Sequence, residues 1–144
     1  MNMQFMIQYV MQFVGVPYHW GGDDPISGQD CSGLVGEFLM ASGVIKRGTP
    51  KMNAQMLFNF LEKQNSGTYP CVGAIVFFGK SIKAISHVGF CIDPHYMIHA
   101  ASGDSTTLTK ERASEQNAFV RMDRVDYRKD LIATFKPRYL QMIS

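Results

Sequence analysis

Cys31 stands between Asp30 and Ser32 at the point where an apolar, helix-like pattern begins. The apolar residues that follow recur at the spacing of one helical face and predict a helix over residues 32–42. Unpaired backbone N–H groups and the positive end of the helix dipole favour an anion at such a start. We therefore expect the thiol to lose its proton readily and to act as a nucleophile. The alternative is an inert, buried cysteine, which is the usual state of a free thiol.

A thiol nucleophile needs a base that takes its proton, and a histidine usually supplies one. The chain has four histidines, of which His87 opens one predicted strand and His99 lies in the next. Because neighbouring strands lie about 5 Å apart, these two side chains can approach one another. The register, which the sequence does not fix, decides whether they share a face. Taken singly, each is more simply a polar residue satisfied at the end of a strand.

Residues 18–30 form a long loop rich in glycine and aspartate directly before the cysteine. Loops of this kind often carry substrate contacts, so Tyr18 and His19 are candidates to line a site. Trp20 is either a substrate contact or an aromatic anchor in the core or at its rim. The oxyanion of acyl transfer needs donors, for which the N–H groups of the predicted helix and the Tyr18 hydroxyl are candidates. His95 lies in an Asp-Pro turn, where we expect it to be exposed.

A metal site is the alternative use of the same side chains. Cys31, His87 and His99 would suit a zinc ion with an open position. No H-E-x-x-H spacing supports it, so we predict neither a metal nor another cofactor. The other two cysteines, Cys71 and Cys91, lie in apolar, strand-like surroundings and are expected to be inert.

Hydrophobic periodicity divides the chain into a helical first part and a strand-rich second part. Helices are predicted over residues 1–14, 32–42 and 53–64. Strands are predicted over residues 74–78, 87–92 and 96–101, near residues 118–122, and over residues 133–136. Short connections make neighbouring strands antiparallel. Helices followed by strands indicate an α+β fold, which we assign to one domain over residues 1–144.

The composition, with 46% hydrophobic and 18% charged residues, is typical of a globular protein. A formal net charge of +2 without a dense basic run argues against nucleic-acid binding. The apolar segment 1–14 is too short and too interrupted to span a membrane. It lacks a basic start and a small-residue cleavage motif, so we expect a packed helix and no signal peptide.

The chain carries five short blocks in a fixed order: Tyr18-x-Trp20-Gly21-Gly22, Gly28-x-Asp30-Cys31-Ser32-Gly33-Leu34-Val35, Gly73-x-x-Val76-Phe77-Phe78, Ser86-His87-Val88-Gly89 and Ile98-His99-Ala100. Together these blocks resemble the NlpC-type cysteine peptidases, which are papain-like enzymes of bacterial cell-wall turnover. Each block alone is modest, but their order and spacing make the resemblance specific over about residues 5–101.

The resemblance implies a papain-like fold, with N-terminal helices packed on a C-terminal antiparallel sheet of about five strands. By the same resemblance, Cys31 matches the nucleophile, His87 the general base and His99 the orienting third residue. The family typically hydrolyses the bond between D-γ-glutamate and meso-diaminopimelate or lysine in peptidoglycan stem peptides. Such peptides are therefore the expected partners of this chain.

Four further residues are expected around the nucleophile. Tyr18 matches a tyrosine that lines the site beside the cysteine. Asp30 and Ser32 flank the nucleophile as they do in the family. Together with Trp20, these residues are the candidates for contacts to the substrate and to the oxyanion.

Three departures from the family pattern concern details of this chain. Ala74 stands where the family often has aspartate, and Asp93-Pro94-His95 replaces a glycine-rich turn. The third departure is the expected lack of a secretion signal and of a wall-binding module. Compact members without a signal resemble hydrolases carried by phage tails or effectors exported by dedicated machines, so tail or export-machine partners are expected.

Two other functions fit the same residues. The triad could serve an amidase or acyltransferase that acts on lipids or small peptides, and the apolar first helix would suit lipid contact. A non-catalytic structural or binding protein, such as a tail component, is disfavoured by the intact Cys31, His87 and His99.

Overall fold

The computed structural model describes residues 2–24, 28–64 and 66–139. These residues include the helices α1 (Met3–Met11), α2 (Cys31–Ala41), α3 (Ala54–Glu62) and α4 (Lys110–Gln116). They include a small hairpin of β1 (Asp23–Asp24) and β2 (Gly28–Gln29), and a main sheet of β3 (Ile75–Gly79), β4 (Ile85–Cys91), β5 (Tyr96–Ala100), β6 (Val120–Arg124) and β7 (Leu131–Phe135). This architecture confirms the predicted α+β class.

Each helix begins at a polar side chain that caps it. The side chains of Asn2, Asp30, Asn53 and Thr109 accept a hydrogen bond from the backbone N–H three residues later. Such caps satisfy N–H groups that have no partner inside the helix. The three predicted helices are confirmed, with ends that differ by one to three residues from the predicted limits.

The prediction for residues 102–130 is incomplete, because it contains no helix and α4 lies there. Ala113 is the buried residue of this short polar helix, so no apolar stripe marks it in the sequence. Its caps are the available signals. Thr109 begins the helix, and Asn117 ends it in the left-handed conformation with a φ of 55°.

The main sheet has the strand order β6-β5-β4-β3-β7, and each neighbouring pair is antiparallel. β3, β4 and β5 are joined by short connections, as the sequence predicts. The strands predicted near residues 118–122 and over 133–136 correspond to β6 and β7, each displaced by about two residues. The chain thus returns after β6 to place β7 on the opposite edge of the sheet.

The two faces of the main sheet bury apolar residues to different extents. The helix-side face packs against α1, α2 and α3 in a large core that includes Phe38, Phe58, Phe77 and Phe90. The rings of Phe38 and Phe90 meet edge to face at 5.5 Å, and those of Phe58 and Phe77 at 5.4 Å. The far face carries a smaller buried cluster of Ala74, Val76, Phe78, Cys91, Met97 and Val125. Residues 74–78 are buried throughout, so the strand predicted there is covered on both faces.

β4 and β5 pair at one end, where Phe90 lies opposite Ile98 and Cys91 opposite Met97. Towards the start of β4 the two strands separate, although β4 continues to pair with β3 as far as Ile85. α2 contacts both separated strands. The separation therefore gives the first residues of α2 access to the backbone at the start of β4.

Contacts of the helices with the main sheet support the proposal of one domain over residues 1–144. Cys71 and Cys91 pack in the far-face cluster without forming a disulfide, and their inertness stays a prediction. Within the described ranges, every helix falls short of the length and apolarity that a bilayer crossing requires.

Candidate active site

Cys31 is the first residue of α2, and it is only 8% exposed. The backbone N–H groups of Val88 and Ser32 lie close enough to its sulfur to lower the pKa of the thiol. β5 has separated from β4 at the level of Val88, which leaves room for this contact. His87 directly precedes Val88 in β4. In the described part of the chain, no direct hydrogen bond joins the thiol to His87.

Asp30 fixes the start of α2 and the loop before it. Its Oδ1 accepts hydrogen bonds from the N–H of Gly33 at 2.7 Å and from the hydroxyl of Ser32 at 3.2 Å. Its Oδ2 accepts from the N–H of Gly21 and from Nζ of Lys51, both at 3.0 Å. Lys51 also donates to Oγ of Ser32 at 3.1 Å. Asp30 and Ser32 thus hold the cysteine in place, and their contact with substrate stays a prediction.

The expectation of an easily ionised thiol is wrong for this resting site. Burial raises the pKa of Cys31 to about 11, and the negative charge of Asp30 adds to this effect. The N–H groups of Val88 and Ser32 and the charge of Lys51 lower the pKa without compensating for burial. The helix N-terminus therefore does not produce a thiolate by itself, and a base must take the proton.

Two buried histidines lie side by side on the far face of the sheet. Nε2 of His87 is 2.7 Å from Nδ1 of His99, so the register does bring the two rings together. Nε2 of His99 is 2.7 Å from Oδ2 of Asp123 in β6, and Nε of Arg121 donates to the same oxygen at 2.8 Å. Nδ1 of His87 has no hydrogen-bond partner among the described residues. Nδ1 of His87 is therefore the ring nitrogen of the pair that is available to a reacting group.

Burial determines the charge of these groups. It lowers the pKa of His87 well below the usual 6.5, and His99 and Arg128 lower it further. Burial also lowers the pKa of His99, although Asp123 acts in the opposite direction. Burial alone would raise the pKa of Asp123, but hydrogen bonds from His99 and Arg121 hold it below its usual range. At neutral pH both imidazoles are therefore uncharged, and the carboxylate is ionised.

A cavity of about 440 Å³ opens beside Cys31, and Tyr18 and Trp20 line it. Trp20 is 49% exposed, so it is a rim residue outside the core. Burial raises the pKa of Tyr18, and the charges of Cys31 and Asp30 add to this, so the hydroxyl keeps its proton. That hydroxyl donates no hydrogen bond within the described residues. His19 does not line this cavity, and its Nδ1 lies 3.1 Å from the carbonyl oxygen of Trp20.

The segment 102–109, which belongs to none of the five sequence blocks, supports the wall of this cavity. Gly103 lies flat against the ring of Tyr18, and a Cβ at this position would overlap the ring. Thr107 is fully buried, and its carbonyl oxygen accepts a hydrogen bond from the N–H of Trp20 at 2.8 Å. Its hydroxyl bonds to Gln116 of α4. The segment 102–109 therefore positions both aromatic residues of the cavity, Tyr18 and Trp20.

The site also contains residues that the sequence analysis missed, namely Lys51, Arg121 and Asp123. Each reaches the site from a distant segment through tertiary contacts, which local patterns do not reveal. The available signal is the R-x-D spacing in β6, which puts Arg121 and Asp123 on one face of a strand. Among the residues that the structure describes, no three His, Cys, Asp or Glu side chains converge to hold a metal ion.

The fold and the site together define a class of α+β proteins in which a cysteine begins a helix and a hydrogen-bonded histidine pair lies in the sheet. Comparison with models of known families matches the NlpC/P60 family over residues 15–124. The chain belongs to the NlpC/P60 family, a family of peptidoglycan hydrolases and endopeptidases. The resemblance stated from the sequence blocks is thereby confirmed.

Two relatives from Bacillus subtilis carry names of this kind. The bifunctional muramidase/DL-endopeptidase CwlT is 33% identical over 89 residues, which are 60% of this chain and 26% of that protein. The probable peptidoglycan endopeptidase LytE is 30% identical over 102 residues, or 71% of this chain and 28% of that protein. The chain therefore spans about a quarter of the length of these curated relatives.

Solved structures share the fold at low sequence identity. An NlpC/P60 family protein from Bacillus cereus has a TM-score of 0.66 and 19% identity, covering 97% of this chain and 41% of that chain. RipD from Mycobacterium tuberculosis, described as a non-catalytic NlpC/p60 domain protein adapted to peptidoglycan binding, has a TM-score of 0.55 and 14% identity. The match covers 92% of this chain and 95% of the RipD chain. These likenesses establish the fold, with helices packed on a five-stranded antiparallel sheet.

Proposed function

We propose that this chain is a cysteine peptidase that hydrolyses an amide bond in peptidoglycan stem peptides. The bond that we assign joins D-γ-glutamate to diaminopimelate or lysine. One observation carries the proposal: the backbone N–H of Val88 acts on the thiol of Cys31, and Val88 directly follows His87, which is hydrogen-bonded to His99. A thiol, an imidazole with a free nitrogen and a partner that orients the imidazole are the parts that nucleophilic acyl transfer requires.

In the proposed reaction, the substrate carbonyl lies in the cavity beside Tyr18. Nδ1 of His87 takes the proton of the Cys31 thiol as the sulfur attacks the carbonyl carbon. His87 gives this proton to the leaving amine as the C–N bond breaks, which leaves a thioester on Cys31. Water then attacks the thioester, and His87 transfers the proton of the water to the departing sulfur.

The directions of the pKa shifts determine how the first step proceeds. Burial raises the pKa of Cys31 to about 11 and lowers that of His87, so the proton rests on the sulfur. Proton transfer therefore accompanies the attack of the sulfur and does not precede it. Because Asp30 occupies the N–H of Gly33, we assign the oxyanion to the N–H of Cys31 and the hydroxyl of Tyr18.

Membership of the family supports the substrate class. The name of CwlT includes a DL-endopeptidase, and LytE is named as a probable peptidoglycan endopeptidase. Because this chain spans about a quarter of each protein, their activities come to it as part of the proposal.

The test is mass spectrometry of purified muropeptides after incubation with the wild type, with Cys31→Ala and with Cys71→Ala. We expect the wild type to release a fragment that ends in D-glutamate, and Cys31→Ala to be slower by at least ~10³-fold. Cys71→Ala is the matched control, because it makes the same change outside the cavity and should retain activity. A wild-type rate in Cys31→Ala would reject the nucleophile, and cleavage at another position would reject the bond.

A second candidate is a non-catalytic peptidoglycan-binding protein, which is the role stated for RipD. The burial of Cys31 and its raised pKa are the observations that favour it. In that case the wild type and Cys31→Ala would bind muropeptides with equal affinity, and neither would cleave them. Isothermal titration with the same muropeptides separates the two candidates.

Two sequence-based predictions lie outside this experiment. Association with a phage tail or with an export machine stays a prediction. A lipid or small-peptide substrate for the same triad also stays a prediction, and liposome co-sedimentation tests its lipid form. Phe5 of α1, which is 60% exposed, is the side chain whose replacement by serine should weaken such binding.

A further inference from the structure

Asp123 ends a hydrogen-bonded chain that begins at the free ring nitrogen of His87. Its Oδ2 lies 2.7 Å from Nε2 of His99 and 2.8 Å from Nε of Arg121. In the pairing of β5 with β6, His99 lies opposite Arg121, and Met97 lies opposite Asp123. This register puts both charged side chains beside His99. Neither residue belongs to the triad proposed above.

The carboxylate of Asp123 determines which ring nitrogens of His99 and His87 carry a proton. An ionised carboxylate only accepts hydrogen bonds, so Nε2 of His99 must carry a proton. A neutral imidazole has one N–H, so Nδ1 of His99 must accept the hydrogen bond from His87. His87 then donates from Nε2, which leaves a lone pair on its Nδ1. That nitrogen is the one that can take the proton of Cys31.

We propose that Asp123, paired with Arg121, is a positioning residue that fixes the tautomers of His99 and His87 and so makes Nδ1 of His87 a base. The inference rests on the proposed function, because a base at this nitrogen serves a reaction in which Cys31 is the nucleophile. Without Asp123 the contact between the histidines has no preferred direction, because a separation of 2.7 Å suits a hydrogen bond in either sense.

The same arrangement also suits the state after proton transfer. When Nδ1 of His87 has gained a proton, Nε2 still carries its own, and Nδ1 of His99 still accepts from it. The protons on Nε2 of His87 and Nε2 of His99 stay in place, and neither imidazole ring has to turn. Asp123 therefore supports the base and its protonated form with one geometry.

Other charged or titratable groups face the histidines from the segment before β7. Arg128 and Asp130 form an ion pair at 2.7 Å, and they shift the pKa of His87 in opposite directions. The ring of Tyr127 lies 5.3 Å from the ring of His99. Among the described residues, Asp123 is the acceptor that reaches Nε2 of His99.

The variant Asp123→Ala tests the proposal by removing the oxygen that accepts from Nε2 of His99. An asparagine would not do so, because an amide oxygen in the place of Oδ2 could still accept from both His99 and Arg121. Without an acceptor, the proton of His99 is no longer held on Nε2, so protonation of Nδ1 becomes populated in both histidines. We expect kcat on muropeptides to fall by up to ~10⁴-fold, the loss that accompanies a catalytic histidine held entirely in the wrong tautomer, with little change in KM.

Two further variants provide the comparison. Asp126→Ala is the matched control, because Asp126 pairs with Arg124 at 3.0 Å on the exposed surface nearby. It should retain the wild-type kcat. Asp123→Glu keeps the carboxylate and should recover part of the activity that Asp123→Ala loses.

The readout that does not depend on activity is ¹⁵N NMR of the imidazole nitrogens, which distinguishes protonated from unprotonated ring nitrogens. Protonation of Nδ1 in both His87 and His99 of Asp123→Ala, together with the loss of kcat, supports the proposal. Wild-type tautomers or a wild-type kcat in this variant would overturn it. If Asp123→Ala does not fold, Asp123→Leu, which also lacks an acceptor, replaces it, and unchanged tautomers there would equally overturn the proposal.

The two proposals fail in different ways. NMR needs no substrate, so it reports on the tautomers even if the wild type cleaves no muropeptide, a result that overturns the proposed function alone. Conversely, cleavage by the wild type and equally by Asp123→Ala overturns the role of Asp123 alone.

Discussion

The helix-side face and the far face of the main sheet differ in size and in chemistry. The helix-side core combines residues of three helices with the sheet, whereas the far-face cluster is small and lies beside two buried histidines. Three of the four ring nitrogens of His87 and His99 can be buried there because they are hydrogen-bonded to one another or to Asp123, while Nδ1 of His87 has no partner among the described residues. The protein thus separates most of its stabilising burial from its candidate base. The backbone of Val88, which directly follows His87, lies beside Cys31 where β4 and β5 separate.

The largest expected effect is a difference in stability between the two faces. Phe38 is fully buried and meets the rings of Phe13 and Phe90 edge to face at 5.2 and 5.5 Å. Phe38→Ala should lower the free energy of unfolding by about 3–5 kcal/mol. Val76→Ala, a fully buried position of the far-face cluster, should lower it by about 2 kcal/mol. Urea unfolding measures both, and an equal loss at Val76 would contradict the comparison.

A smaller loss of stability, together with a loss of activity, is expected where Gly103 supports the ring of Tyr18 in the cavity wall. In Gly103→Ala the new Cβ would overlap the ring of Tyr18, so the ring must move away from its place beside Cys31. We expect the free energy of unfolding to fall by about 1–3 kcal/mol, and kcat/KM on muropeptides to fall with it. Gly67→Ala is the control, because a Cβ there meets nothing within 4 Å. Unchanged activity in Gly103→Ala would show that Tyr18 does not need this position.

The smallest effect is a pH dependence of stability that arises on the far face. Burial lowers the pKa of His87 and of His99 in the folded state, so below pH 6.5 the unfolded chain binds protons that the folded chain does not. Their contribution is present above pH 6.5 and declines as the pH falls below it, by at most about 1.4 kcal/mol per pH unit for each histidine.

Urea unfolding between pH 7.5 and 5 measures this decline, above the range in which carboxylates titrate. His87→Gln should reduce the slope, because it removes one of the two groups. His95→Gln should leave the slope unchanged, because His95 is exposed. Equal slopes in the wild type and in His87→Gln would place the pH dependence elsewhere.

Much of the fold could be predicted because local patterns and burial agree. The run of residues 74–78 is apolar throughout and lies in a strand covered on both faces. The apolar stripe after Cys31 corresponds to α2, which Asp30 caps. α4 was missed because it is polar and short, and because it packs through Ala113.

The candidate site was predictable where its residues lie in consecutive elements. His87 and His99 are in neighbouring strands, so their approach could be expected before the register was known. Asp123 could not be assigned, because its place depends on how β6 pairs with β5 after an intervening helix. The predicted lowering of the thiol pKa was wrong. The sequence indicates the start of a helix, but not the burial of Cys31, which outweighs the effect of the helix start.

The contact between Asp123 and His99 also has a genetic consequence. An aspartate codon becomes an alanine codon through a single base change, so one point mutation at position 123 would remove the group that, in our proposal, fixes both tautomers. Such a descendant would keep Cys31, His87 and His99 and would still fold around the same helix-side core. A survey of genomes that scores only these three residues would count it among the active enzymes.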